Sequence, residues 1–229
     1  MKNPWVIIAL LVVVLVGGSV WYAKAANVRN NEGVTFSPHL KGNAEATVRL
    51  EEFSDFQCPA CAAFEPYVAE ILAAYGDSIA FEYKHFPLPM HALAEPAARA
   101  AEAAGQQGKF FEYAEKLFAE QAAWATNPNA LSLFVRYAEE LELDITQFKR
   151  HMSASLIREK IRTEVAEGKE KGVTGTPTFF LNGQRMVIGS YEDFRAQIEA
   201  AINPTVQFNA DGSVAEPAVS EEPKVEFGI

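Results

Sequence analysis

The chain has little sulfur to work with. Its 229 residues hold two cysteines, Cys58 and Cys61, so no disulfide framework beyond a single bridge can form. A zinc site built on this pair needs two further ligands. Only His39, His85, His91 and His151 could supply imidazoles, and they fall at no recognisable metal spacing. Positive charge is also scarce: 20 Lys and Arg against 30 Asp and Glu give a formal charge of −10. With no basic-aromatic stripe, that balance argues against a nucleic-acid partner. No internal repeat, glycine-rich phosphate loop or Ser-His-Asp pattern appears. The cofactor expectation is none, and the metal expectation is none.

What is present is Phe56-Gln57-Cys58-Pro59-Ala60-Cys61. The residues Thr47 to Phe53 before it read as a strand, with turn chemistry at Gly42 and Asn43. After it, Ala62, Phe64, Tyr67, Val68, Ile71 and Leu72 recur at helical spacing up to Tyr75-Gly76. Pro59 suits a first helical turn, and Pro66 is expected to kink the helix. Cys58 then sits at a helix N-terminus, where unpaired N–H groups and the dipole favour a thiolate. Its pKa is expected between about 3.5 and 7. Cys61, one turn further in, is expected to be the more buried sulfur. A purely structural bridge closing so short a loop would stabilise little, so a reversible dithiol/disulfide couple is the stronger reading.

A second element lies far downstream. Thr178 to Leu181 is an apolar strand, Asn182-Gly183 a hairpin turn, and Gln184 to Ile188 the return. Thr176-Pro177, at its entrance, is a place for a cis peptide bond. Ile79 to Phe86 reads as another strand. Between that strand and the hairpin the chain is helical, with apolar faces at Phe110, Phe111, Ala114, Leu117 and Phe118 and at Leu131, Phe134, Val135, Ala138 and Leu141.

A strand, a CPxC at a helix start, a long helical insertion and a late Thr-Pro before a hairpin together resemble the DsbA-like branch of the thioredoxin superfamily. The likeness covers about Thr47 to Ile202. It implies an α/β thioredoxin fold with an inserted helical subdomain, and thiol–disulfide oxidoreductase activity through Cys58 and Cys61. It also implies that the Thr176-Pro177 loop, with Pro59 and Ala60 between the cysteines, meets substrate. Glu52, six positions before Cys58, matches the family's proton-handling acid. Strand alternation lets only one of Glu51 and Glu52 point inward. If Glu52 is buried, desolvation should raise its pKa and suit it to exchange a proton with Cys61. The Pro-Ala dipeptide departs from the Pro-His of the strongest oxidants, so milder activation is expected. Thr176 resembles several isomerases, which leaves oxidase, reductase and isomerase open. A non-catalytic peptide-binding or chaperone module is the reading from another class. The partners implied are reduced or unfolded exported proteins and a quinone-linked membrane reoxidase.

Pro4 to Ala23 carries no charge and is bracketed by Trp5 and Trp21-Tyr22. Twenty apolar residues suffice to span a bilayer. Ala23-Lys24-Ala25 resembles a signal cleavage site, but the run exceeds the usual ~7–15-residue signal core. An uncleaved anchor is therefore expected over secretion after cleavage, and the short N-terminal tail with the redox reading places the domain extracytoplasmic. The expected organisation is an anchor or signal over residues 1–26 and a polar linker over 27–45. The two halves of the thioredoxin fold are placed at 46–90 and 155–204, the helical insertion at 91–154, and a disordered acidic tail at 205–229.

Overall fold

The computed structural model describes residues 4–204; the expected acidic tail lies outside the described residues. The first element, α1 (Pro4–Asn31), is followed by β1 (His39–Gly42), β2 (Val48–Ser54), α2 (Pro59–Tyr75) and β3 (Ile79–His85). Next come α3 (Ala94–Gly105), α4 (Phe110–Ala119), α5 (Gln121–Trp124), α6 (Ala130–Glu140), α7 (Ile145–Met152) and α8 (Ser155–Glu170). The hairpin β4 (Thr178–Leu181) and β5 (Gln184–Arg185) precedes α9 (Tyr191–Ile202).

The sheet order is β1-β3-β2-β4-β5. β2 and β3 run parallel, joined across α2, while the other pairs are antiparallel. This is a thioredoxin-like mixed sheet with the expected helical insertion. β2 is central, so both its faces are covered and its burial does not alternate cleanly. Val48, Leu50, Glu52 and Ser54 face α2. Phe53 points the other way, into a smaller cluster with Phe86, Val173 and Phe180.

Alanine organises the insertion. In α3, Ala97, Ala98, Ala100, Ala101, Ala103 and Ala104 are all buried. Their small side chains let α4, α7 and α8 pack closely around that helix. In α4 the expected face is buried except for half-buried Phe111, and Tyr113 joins it. Leu131 departs from expectation: it is 55% exposed, and Ala130 with Tyr137 takes the inward positions of α6. Pro66 lies within α2 without ending it. The returning strand is shorter than Gln184 to Ile188, because Val187 has left the sheet and stands 83% exposed.

The stretch expected to be a polar spacer is ordered. α1 continues through Asn31 and contacts α7 and α8. Asn31 Nδ2 donates to Ser155 Oγ at 2.9 Å, and its Oδ1 accepts from the Leu156 N–H at 3.2 Å. His151 Nε2 lies 3.1 Å from the Glu32 carbonyl. Residues 39–42 then form the edge strand β1. Polar side chains here satisfy specific partners on the domain, a use that composition does not reveal.

Candidate active site

Three segments converge on the cysteine pair. Cys58 is the N-cap of α2 in extended conformation, with Pro59 opening the helix. Its N–H donates to the Asp55 carbonyl at 3.0 Å. Both cysteines are free thiols. Cys58 is 7% exposed and Cys61 1% exposed, the order expected for an attacking and a resolving sulfur. Pro59 and Ala60 are exposed beside them. The Thr176-Pro177 bond is cis, as anticipated, and the Thr176 carbonyl lies 3.4 Å from Cys58 Sγ, accepting from the thiol. The Thr176 hydroxyl is buried without a hydrogen-bond partner within 3.5 Å among the described residues.

The two thiols are polarised in opposite senses. Hydrogen bonding from the Cys61 thiol is the largest influence on Cys58 and favours its anion. Burial opposes it, while Thr176 and the N–H groups of Cys61 and Ala60 add to it, and the pKa falls to about 5. Burial pushes Cys61 up, reinforced by its hydrogen bond to Cys58 and by the Glu52 charge. Glu52 is 2% exposed and faces inward, while Glu51 bonds Lys171 at the surface. Desolvation, with a contribution from Glu65, raises the Glu52 pKa to about 8.

Ser54 and Tyr83 complete this interior cluster, and the sequence reading did not single out either. Register explains their arrival: Glu52 pairs with Tyr83, and Ser54 stands two residues on from Glu52 on the same face. The Ser54 hydroxyl favours the charged forms of Glu52, Cys61 and Tyr83 alike. Glu52 Oε2, Ser54 Oγ and Tyr83 Oη are buried without hydrogen-bond partners among the described residues. Three unpartnered polar atoms thus gather in one buried space beside Cys61.

Asp55 was likewise missed, though an aspartate two residues before an unpaired N–H is an Asx-turn signal. Its Oδ1 accepts from the Gln57 N–H at 2.7 Å. Its Oδ2 accepts from the Leu88 N–H at 2.9 Å and lies 2.6 Å from His91 Nδ1. Gln121 Nε2 donates to the Phe56 and Cys58 carbonyls, and Gln57 bridges Leu93 and Ala125. The insertion thus clamps the backbone that presents Cys58.

One group of potential metal ligands forms among the described residues. His39 and His85, distant in sequence, both reach Glu102 Oε1, at 2.7 and 2.8 Å. The Lys160 ammonium lies 2.6 Å from the same oxygen. Burial favours the neutral acid, yet hydrogen bonds from His39 and His85 hold Glu102 well below the usual carboxylate range. This is a charge-compensated buried cluster, with a fixed cation already on the shared oxygen.

A thioredoxin-type sheet with a CPxC at a helix N-terminus facing a cis-proline loop defines a dithiol active site of the thioredoxin class. The Thioredoxin_4 family model, described as Thioredoxin, matches residues 35–200. The chain belongs to this family. Among solved structures, a thioredoxin-like oxidoreductase from Silicibacter pomeroyi DSS-3 is 26% identical with a TM-score of 0.62. That match covers 77% of this chain and 96% of the other. BdbD from Bacillus subtilis, 19% identical, has a TM-score of 0.64 over 75% of this chain and 94% of its own. Wolbachia pipientis alpha-DsbA1, 21% identical, gives 0.64 over 77% and 96%. The latter two likenesses show the shared fold. Curated relatives include the Na(+)/H(+) antiporter NhaA 3 of Salinispora tropica, 40% identical over 148 residues, 64% of this chain. The chain spans about a fifth of that antiporter's length, 22%.

Proposed function

We propose that the protein is a membrane-anchored thiol–disulfide oxidoreductase that introduces disulfides into exported proteins. The opposed polarisation of Cys58 and Cys61 carries this reading. A stabilised Cys58 thiolate favours the dithiol form, which makes the disulfide form an oxidant.

In the oxidising cycle, a substrate thiolate attacks Cys58 Sγ of the Cys58–Cys61 disulfide. The intramolecular S–S bond breaks, and Cys61 leaves as a thiolate. Glu52, protonated below about pH 8, supplies the proton that neutralises it. Ser54 and Tyr83 line the space that proton crosses. The substrate's second thiolate then attacks its own sulfur in the mixed disulfide and expels Cys58, a good leaving group because its thiolate is stable. Substrate loses two electrons and the cysteine pair gains them. A membrane partner, quinone-linked by family resemblance, would take those electrons away. Thr176 and Pro177, with exposed Pro59 and Ala60, form the surface a substrate backbone meets. One N-terminal helix is long and apolar enough to cross a membrane; retained as an anchor, it holds the domain on the extracytoplasmic side.

The reduction potential of the pair in the full-length protein tests the direction of flow. A value of about −120 to −180 mV is expected for a disulfide donor or isomerase. A value of about −270 mV would make the protein a reductase. Full thiol-oxidising turnover by Cys58→Ser would sink the enzymatic reading and favour a binding module.

A further inference from the structure

We propose that the junction between the membrane helix and the catalytic domain is a binding site for one anionic glycerophospholipid of the bilayer. This rests on the anchor being retained. A groove of about 550 Å³ lies between the last turns of α1 and the α7–α8 connection. Its polar walls are Lys24, Asn27 and Asn30 from α1, with Ser153, Ser155 and Arg158 from the domain. No acidic side chain lines it. Some cations elsewhere on the domain are held by carboxylates, Lys41, Lys84 and Lys160 among them. Among the described residues, Lys24 and Arg158 form no ion pair. Arg99, outside the groove, feels the repulsion of Arg158 and the opposing attraction of Glu95, and donates to the Met152 carbonyl. Two cations, Lys24 and Arg158, thus line one groove whose walls carry no acidic side chain.

The groove's height selects the occupant. The uncharged run Pro4 to Ala23 is 20 residues, about 30 Å of helix, which matches the hydrocarbon thickness of a bilayer. Lys24 follows immediately and so falls at headgroup level. The groove begins one turn inside the apolar run, at Val20 and Ala23. A phosphodiester between Lys24 and Arg158 gains charge-assisted hydrogen bonds. The Asn and Ser side chains offer donors and acceptors to headgroup hydroxyls, while Val20 and Ala23 meet the first acyl methylenes. A free phosphate would use the cations but leave the apolar end uncovered. Because α1 enters the domain as one continuous helix held through Asn31, a lipid bridging α1 and α8 would also fix the height of Cys58 above the membrane.

The test uses the full-length protein in dodecyl maltoside, titrated with dihexanoyl-phosphatidylglycerol and read by native mass spectrometry. One lipid per chain is expected to be retained. Lys24→Gln/Arg158→Gln should weaken retention about tenfold or more, and Lys24→Arg/Arg158→Lys should preserve it. Lys109→Gln/Arg136→Gln, an equal charge change at exposed side chains before α4 and on α6, should leave it unaltered. Equal retention by the first pair overturns the site. Equally tight binding of inorganic phosphate, or a polypeptide retained in place of lipid, overturns the assignment to lipid. The intact mass of the membrane-extracted chain separates the two ideas. A mass lacking the first ~25 residues removes the anchor itself, as a signal sequence would be removed. Full mass without lipid retention refutes the lipid site alone.

Discussion

Replacing Glu52 by Gln keeps the shape of the side chain and removes its titration. In the folded protein burial keeps Glu52 protonated up to about pH 8, against 4.5 for an ordinary glutamate. The unfolded chain releases that proton above about pH 4.5. Between these limits the native state binds more protons than the unfolded state, so the wild type loses stability as pH rises. The gap, at 1.36 kcal/mol per pH unit, amounts to roughly 5 kcal/mol above pH 8. Below pH 4.5 both states carry the proton and the term vanishes. For a domain of this size 1 kcal/mol moves Tm by about 2–4 °C. Glu52→Gln in the reduced, detergent-solubilised protein is therefore expected to raise Tm by roughly 10 °C at pH 9 and by almost nothing at pH 4. The same variant should slow turnover by about 10²–10⁴-fold, the usual contribution of a positioned acid–base group. A Tm difference that is constant from pH 4 to pH 9 would refute the assignment, because it would mean that Glu52 titrates like a surface carboxylate.

Other consequences are read at single positions. Alkylation of Cys58 by iodoacetamide should rise with a midpoint of about pH 5, and Thr176→Val, which deletes a hydroxyl facing the thiolate, should shift that midpoint upward. In Cys58→Ser, Cys61 should stay unreactive at pH 8. Lys160→Met strands the buried Glu102 carboxylate and should cost about 3–5 kcal/mol. Chemical denaturation of the variant against the wild type should report that loss. Gly168→Ala places a methyl 2.7 Å from the Phe86 ring and 3.0 Å from that of Phe53; thermal unfolding should report a loss of about 1–3 kcal/mol.

The reactive centre was legible because its parts are local. A dipeptide between two cysteines, a helix start and a Thr-Pro before Asn-Gly each leave their mark within a few residues. Alternation along β2 let only one of Glu51 and Glu52 face inward, and the family resemblance pointed to Glu52. What the sequence concealed depends on long-range register. Tyr83 reaches Glu52 only because β2 and β3 pair in parallel, and no spacing along the chain encodes that. His39, His85 and Glu102 meet across β1, β3 and α3, so their metal-like grouping was invisible to a search for short motifs. α3 escaped notice as the centre of the insertion because alanine's weak apolar signal hides how closely it lets neighbouring helices approach. The domain end of α1 was read as a spacer because its polar residues show no periodicity, although Asn31 makes some of its most specific contacts.

The asymmetry of the pair has a thermodynamic signature that separates this mechanism from a symmetric dithiol. Reduction of the disulfide consumes two electrons, and the protons taken up depend on which products are anions. Below about pH 5 both thiols are protonated, so two protons enter and the potential should fall by about 59 mV per pH unit, twice the 29.6 mV that a tenfold change in equilibrium is worth to a two-electron couple. Between about pH 5 and 8 Cys58 remains a thiolate, while burial keeps Cys61 protonated. Glu52 recovers its proton from solvent after each turnover, so it adds nothing to the net count in this interval. One proton then enters for two electrons, and the slope should halve to about 30 mV per pH unit. Measuring the potential from pH 4 to pH 8 should show that break near pH 5. A line of about 59 mV per unit continuing to pH 8 would mean that Cys58 is an ordinary thiol in the reduced protein. The oxidising character proposed for its disulfide would then lose its physical basis.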